Sequence, residues 1–215
     1  MPSLLRANRY TVPVAQPASS TFDTLRAYLE ARASFTEDDF TFLRTVLLPR
    51  RLPAGGFLQR AGEVARHAAF IASGCLRSYV IDAKGKEHIV QFAPETWWLA
   101  DSDSLGGGVP SKFFFEAVED SDLLLIDAPS HHRVVERVPG YAAAMRTGLQ
   151  RHAAAKDDRI VSALSATAEE RYLAFLETYP SMVQRVPQKM LASYLGVSPE
   201  TLSRIRHKLS RRSRR

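Results

Sequence analysis

The stretch VPQKMLASYLGVSPETLSRIRHKL, residues 186–209, sets two short helical patterns on either side of a single glycine. Pro187 suits the start of the first helix, where a missing N–H costs nothing, and Leu191, Ala192 and Leu195 line one face. Gly196 can take the left-handed conformation that ends a helix and turns the chain. Ser198 is then a good N-cap, Pro199 fits the first helical position, and Glu200 lies in the first turn, where the helix dipole favours an acid. Leu202, Ile205 and Leu209 give the second helix an inward face; Val197 plugs the turn, and the small Ala192 permits a close crossing. A small residue, a glycine four positions later and a short turn in that register predict a helix-turn-helix unit rather than a generic helical hairpin.

The outward side of the second helix carries the chemistry. When such a unit docks on duplex DNA, the N-terminal end of its second helix enters the major groove. Here that end offers Ser198, Pro199, Glu200, Thr201, Ser203 and Arg204. The planar fork of Arg204 can bond guanine O6 and N7 together and Glu200 can accept from cytosine N4, each worth roughly 1–3 kcal/mol of discrimination. Ser203 is short enough for close approach. Arg206, Lys208, Arg211 and Arg212 suit phosphates, which add affinity without sequence choice and make binding fall with salt. For Arg206 and Lys208 a solvated helix face is the alternative.

Charge follows the same division. Residues 185–215 hold nine Lys or Arg and the single acid Glu200, a local charge of +8, whereas the whole chain carries +6. The remaining residues therefore sum to −2, and a polyanion is the expected partner of the C-terminal segment. The terminal SRRSRR equally suits a solvated tail.

At 215 residues and 45% apolar content, the chain has room for one large domain or two modest ones with a normal core. No stretch approaches the roughly eighteen consecutive apolar residues of a membrane span, and the N-terminal residues lack a secretion signal's apolar run, so a cytoplasmic protein without a membrane partner is expected. The single Cys75 leaves no internal disulfide and no iron–sulfur or zinc site held by several thiolates; in its strand-like run it reads as a buried structural residue.

Residues 1–20 lack periodicity and are expected to be a flexible segment. Phe22 to Val46 shows helical spacing, with Thr36 and two acids opening a second helix. From Leu52 to about Ala128 short strands take over. CLRSYVI (75–81) and EHIVQF (87–92) flank DAKGK, where Gly85 supplies the positive φ of a hairpin turn; KFFFEAV (112–118) and DLLLIDA (122–128) flank EDS in the same manner. Glycines at 55, 56, 62, 74 and 85 argue for an antiparallel barrel or jelly roll. After Gly140, residues 141–164 read as one long helix. Met145, Leu149, His152, Lys156, Ile160 and Leu164 form a seam for a partner helix, interrupted by His152 and Lys156; packing on its own barrel is the alternative.

A β-rich N-terminal half, a long connecting helix and a C-terminal V-S-P-E-T-L-S-R (197–204) together resemble the Crp/Fnr family of bacterial transcription regulators over roughly Leu25 to Leu209. The resemblance implies an α+β chain. A cyclic-nucleotide-binding-like jelly roll would span 21–140, a dimerisation helix 141–165, and a winged helix-turn-helix DNA-binding domain 166–215. It implies a homodimer on palindromic double-stranded DNA, a small-molecule effector and RNA polymerase as a partner. Glu200, Ser203 and Arg204 match the Glu-x-x-Ser-Arg pattern of the Fnr-like branch, which implies half-sites with a TGA core.

The sensory half departs from the family's cyclic-AMP pattern. Cyclic-AMP binders carry Gly-Glu-Leu and then Arg-Ser-Ala or Arg-Thr-Ala, whereas WWLADSDSLGGGVPSKFFFEA (97–117) has no Gly-Glu-Leu, and Ser111 and Lys112 stand where arginine and serine are expected. Loss of cyclic-AMP binding follows. Gly106, Gly107 and Gly108 could present N–H groups to an anion with Lys112 as a point charge, or form a flexible loop. Trp97 and Trp98 line a pocket or fill the core.

Two other classes compete. A metal-dependent, cupin-like enzyme needs converging histidines, and the six histidines show neither H-x-H nor H-x-x-x-H spacing. No metal, iron–sulfur cluster or haem is indicated, no catalytic grouping is recognisable, and a non-enzyme is expected. A sequence-indifferent architectural DNA-binding protein is disfavoured by Glu200, an acid that makes sense against a polyanion only if it reads a base.

Overall fold

The computed structural model describes residues 19–212. The expectations for residues 1–18, for Arg214 and Arg215, and for the side chains of His152 and Arg212 lie outside the described residues.

Two helices open the described chain. Helix α1 (Ser19–Glu30) buries Phe22, Leu25, Tyr28 and Leu29. Helix α2 (Glu37–Val46) starts on a capping box: the Thr36 hydroxyl accepts from Asp39 N at 3.2 Å, and the Asp39 carboxylate accepts from Thr36 N at 2.8 Å.

The strands β1 (Leu48–Leu52), β2 (Phe57–Gln59), β3 (Ala68–Ser73), β4 (Leu76–Ile81), β5 (Glu87–Ala93), β6 (Trp98–Leu99), β7 (Phe114–Ala117) and β8 (Ser121–Ile126) form two antiparallel four-stranded sheets, with a short helix α3 (Ser102–Gly107) after β6. Their orders are β1-β8-β3-β6 and β2-β7-β4-β5. Leu52, Ile71, Leu76, Leu99, Phe115, Leu123 and Leu125 pack between the sheets. Their neighbours along the strands bury outward. Phe70, Trp98, Leu124 and Ile126 lie under the helices, while Tyr79, Ile89 and Phe92 lie under the C-terminal unit. Burial on both faces is why these strands read as continuous apolar runs.

The hairpin expected at DAKGK is present: Gly85 has φ +78° and β4 pairs with β5. The one expected at EDS is not. Strand β7 pairs with β2 and β4, whereas β8 pairs with β1 and β3, so residues 118–120 carry the chain from one sheet to the other. Apart from the bond of Ser121 Oγ to Glu119 O at 2.8 Å, the polar groups there bond outward. Asp120 accepts from Ala54 N at 3.0 Å, Ser121 Oγ accepts from Cys75 N at 3.2 Å, and Val118 N donates to Cys75 O at 2.8 Å.

Helix α4 (Ala128–Arg137) leads into the long helix α5 (Pro139–Ser165), which extends the expected 141–164 by a few residues. Tyr141 and Ala144 anchor its start in the core under α1. Of the expected seam, Met145 packs on the chain's own core, whereas Leu149, Ile160 and Leu164 are 61%, 59% and 84% exposed, as is the neighbouring Val161 at 62%, so packing on the roll covers only the seam's start.

Helices α6 (Ala168–Thr178), α7 (Met182–Arg185), α8 (Gln188–Leu195) and α9 (Pro199–Arg212) complete the chain. The wing implied by the resemblance has no strands among the described residues, the last strand being β8. The segment between α6 and α8 holds the single turn α7, with Met182 and Val186 buried there.

Candidate nucleic-acid interface

Helices α8 and α9 form the expected helix-turn-helix. Gly196 takes φ +68° and its N–H bonds back into α8, while Val197 N reaches Ala192 O at 3.0 Å, closing the helix end. The helix begins one residue later than expected, with Pro187 as its cap rather than its first residue. Ser198 Oγ accepts from Thr201 N at 3.2 Å and starts α9. Leu191, Ala192, Leu195, Leu202 and Ile205 are buried together, with Val197 and Leu209 packed at the margin.

That packing fixes what points outward. Ser198, Pro199, Glu200, Ser203 and Arg204 are exposed on the first turns of α9, and Thr201 is half-buried. Their bonds are local and weak to break: Arg204 Nη2 reaches Thr201 Oγ1 at 3.2 Å. The Ser198 hydroxyl and nearby Arg204 hold the Glu200 carboxyl below its ordinary pKa, so it stays an acceptor near neutral pH. Farther along, Arg211 is exposed and Arg206 half-buried beside Tyr172, Leu173 and Leu176 of α6. Lys208 Nζ sits 2.5 Å from Glu169 Oε2, an exposed pair that phosphate could replace at little cost.

Arg185 does not belong with these charges. Its guanidinium binds Glu95 at 2.7 Å and also Glu119, joining α7 to the loops after β5 and β7. The sequence gives no sign of this, because the partners lie 90 and 66 positions upstream.

The helix-turn-helix is bonded to the roll's edge. Strand β5 ends its sheet, and an unpaired edge needs covering. Ser193 Oγ of α8 donates to Glu87 O at 2.9 Å and accepts from Ile89 N at 3.2 Å. Arg159 of α5 donates to Val90 O, to Ile89 O at 2.7 Å and to Tyr194 O at 3.0 Å. Burial draws its guanidinium below the usual arginine pKa, and its plane rests on Tyr194 at 4.2 Å. The Trp97 ring lies tilted against Tyr179 at 5.6 Å, so it joins the roll to the C-terminal helices, while Trp98 is core.

In the roll, Gly106 and Gly107 lie within α3 and Gly108 ends it, its N–H bonded to Ser104 O at 3.0 Å. Lys112 is exposed, 5.2 Å from the Phe113 ring. Ser111 is buried and fully engaged: its hydroxyl donates to Asp101 Oδ2 at 2.6 Å and accepts from Phe113 N at 3.0 Å. Asp101 also caps α3 through Ser104 N. Among the described residues no group of three or more His, Cys, Asp or Glu side chains could hold a metal. Cys75 is buried, its thiol pushed up to about 12 by desolvation, as a structural cysteine should be.

A two-sheet roll, a long helix and a helix-turn-helix docked on the roll are, as a fold, shared with solved structures of transcription regulators. Residues 49–138 match the family model of the Cyclic nucleotide-binding domain. In structure the chain is similar to FixK2 of Bradyrhizobium japonicum (21% identity, TM-score 0.66, covering 78% of this chain and 86% of that one). It is also similar to the c-di-GMP-responsive global regulator CLP of Xanthomonas campestris (13%, 0.67, 83% and 93%). A protein of Eubacterium rectale assigned to the Crp/Fnr family of transcriptional regulators gives 16%, 0.62, 82% and 84%. At these identities the likeness is one of fold. No curated protein matches the sequence. Among the described residues, no helix is long and apolar enough to cross a membrane.

The residues present do not fit a cyclic phosphate. Where the Crp/Fnr resemblance implies a phosphate-binding arginine, the buried Ser111 hydroxyl is bonded to the Asp101 carboxylate, a charge that repels an anion.

Proposed function

We propose that the protein is a sequence-specific DNA-binding transcription regulator that acts as a homodimer on a palindromic site and responds to something other than cyclic AMP. One observation carries the reading: α9 is divided lengthwise, with Leu202 and Ile205 buried against α8, and with Glu200, Ser203 and Arg204 exposed on the opposite side. An acid and a guanidinium held outward on a rigid helix suit hydrogen bonding to base edges, and Arg206, Lys208 and Arg211 suit the backbone on either side. The exposed Leu149, Ile160, Val161 and Leu164 support pairing of two α5 helices, which would set two copies of α9 about 34 Å apart. RNA polymerase is the partner a regulator on DNA would act upon.

Selection of bound duplexes from a random pool tests this directly. The expected result is enrichment of a palindrome with TGA-containing half-sites one helical turn apart. A bound population with no shared sequence, or a protein that stays monomeric on the enriched DNA, would refute it. Cyclic AMP added during selection should leave the enriched sequence and its affinity unchanged.

A further inference from the structure

We propose that the β4–β5 hairpin is a second DNA-contacting element, with Lys84 and Lys86 of its turn and Lys189 of α8 holding backbone phosphates beside the half-site that α9 reads. The inference rests on the DNA-binding reading above and adds an element of the sensory roll to the interface. A groove of about 910 Å³ runs from the hairpin to the start of α9, lined by Gly85, Lys86 and Glu87 on one side and Lys189, Ser198 and Pro199 on the other. It is therefore continuous with the surface bearing Glu200 and Arg204.

The charge in and beside the groove is unbalanced. Lys84 and Lys86 at the turn are exposed, and none of the three lysines forms an ion pair within the described part of the chain. The nearby acids are otherwise engaged. Asp82 Oδ1 accepts from Lys84 N at 2.8 Å and Lys86 N at 3.0 Å, its Oδ2 lies 2.8 Å from His88 Nε2, and Glu87 is bound to Arg77 at 2.6 Å. Three ammonium groups without carboxylate partners, next to a helix start that faces DNA, match a phosphate backbone.

The hairpin is also fixed relative to α9. Ser193 ties α8 to Glu87 O and Ile89 N, and Arg159 ties α5 to the same strand, so the turn moves with the reading unit. Placing α9 in the major groove brings the lysines to the flanking backbone without rearrangement.

The test compares the full chain with a Lys84→Gln, Lys86→Gln variant and with Arg204→Ala, measuring affinity for the selected duplex and for a scrambled one across a salt series. Loss of two phosphate contacts should lower the slope of log K against log salt by about 1.8 and weaken both duplexes about tenfold at low salt, with base preference unchanged. Arg204→Ala should change the preference. Trimming the duplex beyond the half-sites should erase the difference between the full chain and the double variant. Both lysines are exposed, so an unchanged unfolding midpoint is expected and shows that the variant is folded. Unchanged slope and affinity in the double variant, with the full chain binding its duplex, would overturn the proposal alone. A full chain that binds no duplex would remove the DNA-binding reading and this inference with it, and would be seen before any variant is made.

Discussion

Two helix starts in this chain are built alike and left in opposite conditions. Helix α3 begins on Asp101, whose carboxylate accepts from Ser104 N, and α9 begins on Ser198, whose hydroxyl accepts from Thr201 N. Around α3, burial forces the polar groups onto one another: Asp101 takes the Ser111 hydroxyl, and Ser104 Oγ donates to Val109 O while accepting from Ala65 N. At α9 the same local pattern lies on an exposed ridge, and Glu200, Ser203 and Arg204 face water. The cap chemistry is shared. Burial decides whether a helix start is used up in the fold or left to meet a ligand.

Removing each cap should therefore have unequal effects. Asp101→Ala deletes a cap, worth about 0.5–2 kcal/mol, and removes the main acceptor of the buried Ser111 hydroxyl, worth about a further 1–3 kcal/mol. Ser198→Ala deletes only a cap, at about 1 kcal/mol. Urea unfolding followed by circular dichroism should give a distinctly lower midpoint for the first variant, and Asp101→Asn, which keeps an acceptor in place, should recover most of the loss. Equal midpoints for the two alanine variants would break the contrast.

The reverse holds for recognition. Arg204→Ala should leave the unfolding midpoint within about 0.5 kcal/mol of the parent, since an exposed side chain with one hydroxyl partner contributes little to folding. Its effect should fall on one base position of each half-site, where preference weakens by about 1–3 kcal/mol in competition binding. If all sequences weakened equally, Arg204 would be a backbone contact and the exposed face of α9 would not be the reading face.

How much of this was legible from sequence follows from distance along the chain. Every signal for the helix-turn-helix lies between Pro187 and Leu209, so caps, the positive-φ Gly196 and the apolar spacing could be read directly. The β4–β5 hairpin was readable for the same reason, its strands being joined by one short turn. Membership of sheets was not. Phe114–Ala117 and Ser121–Ile126 are both short and largely apolar, and nothing local tells a hairpin from a crossover between sheets. Within residues 97–117, the departure of Ser111 and Lys112 from the cyclic-AMP pattern is visible, but the bond from Ser111 to Asp101 is not, since it depends on how α3 folds between them. The bonds that dock α8 and α5 onto β5 were equally hidden: Arg159 meets carbonyls 69 and 70 residues upstream, and a backbone acceptor leaves no trace in sequence.

The junction between the two regions should show the smallest effect, as a dependence on pH. Glu95 is partly withdrawn from water, which alone would raise its pKa. Hydrogen bonds from Arg185 and backbone N–H groups outweigh that and hold it below its ordinary value near 4.5. A carboxyl with a depressed folded-state pKa stabilises the fold above its unfolded value, and that contribution fades as pH falls through the folded one. Stability should therefore decline below about pH 4.5, with the C-terminal unit loosening from the roll as Glu95 takes up a proton. In Arg185→Gln the carboxyl loses its main partner and its pKa rises toward the ordinary range. Stability near neutral pH should drop slightly, and its slope with pH between 3 and 5, roughly the carboxylate range, should flatten. Identical pH profiles for parent and variant would mean that the Arg185 bonds to Glu95 and Glu119 add nothing to docking, leaving the apolar contacts of Phe92, Trp97 and Tyr179 with the Arg159 and Ser193 bonds to hold reader to roll.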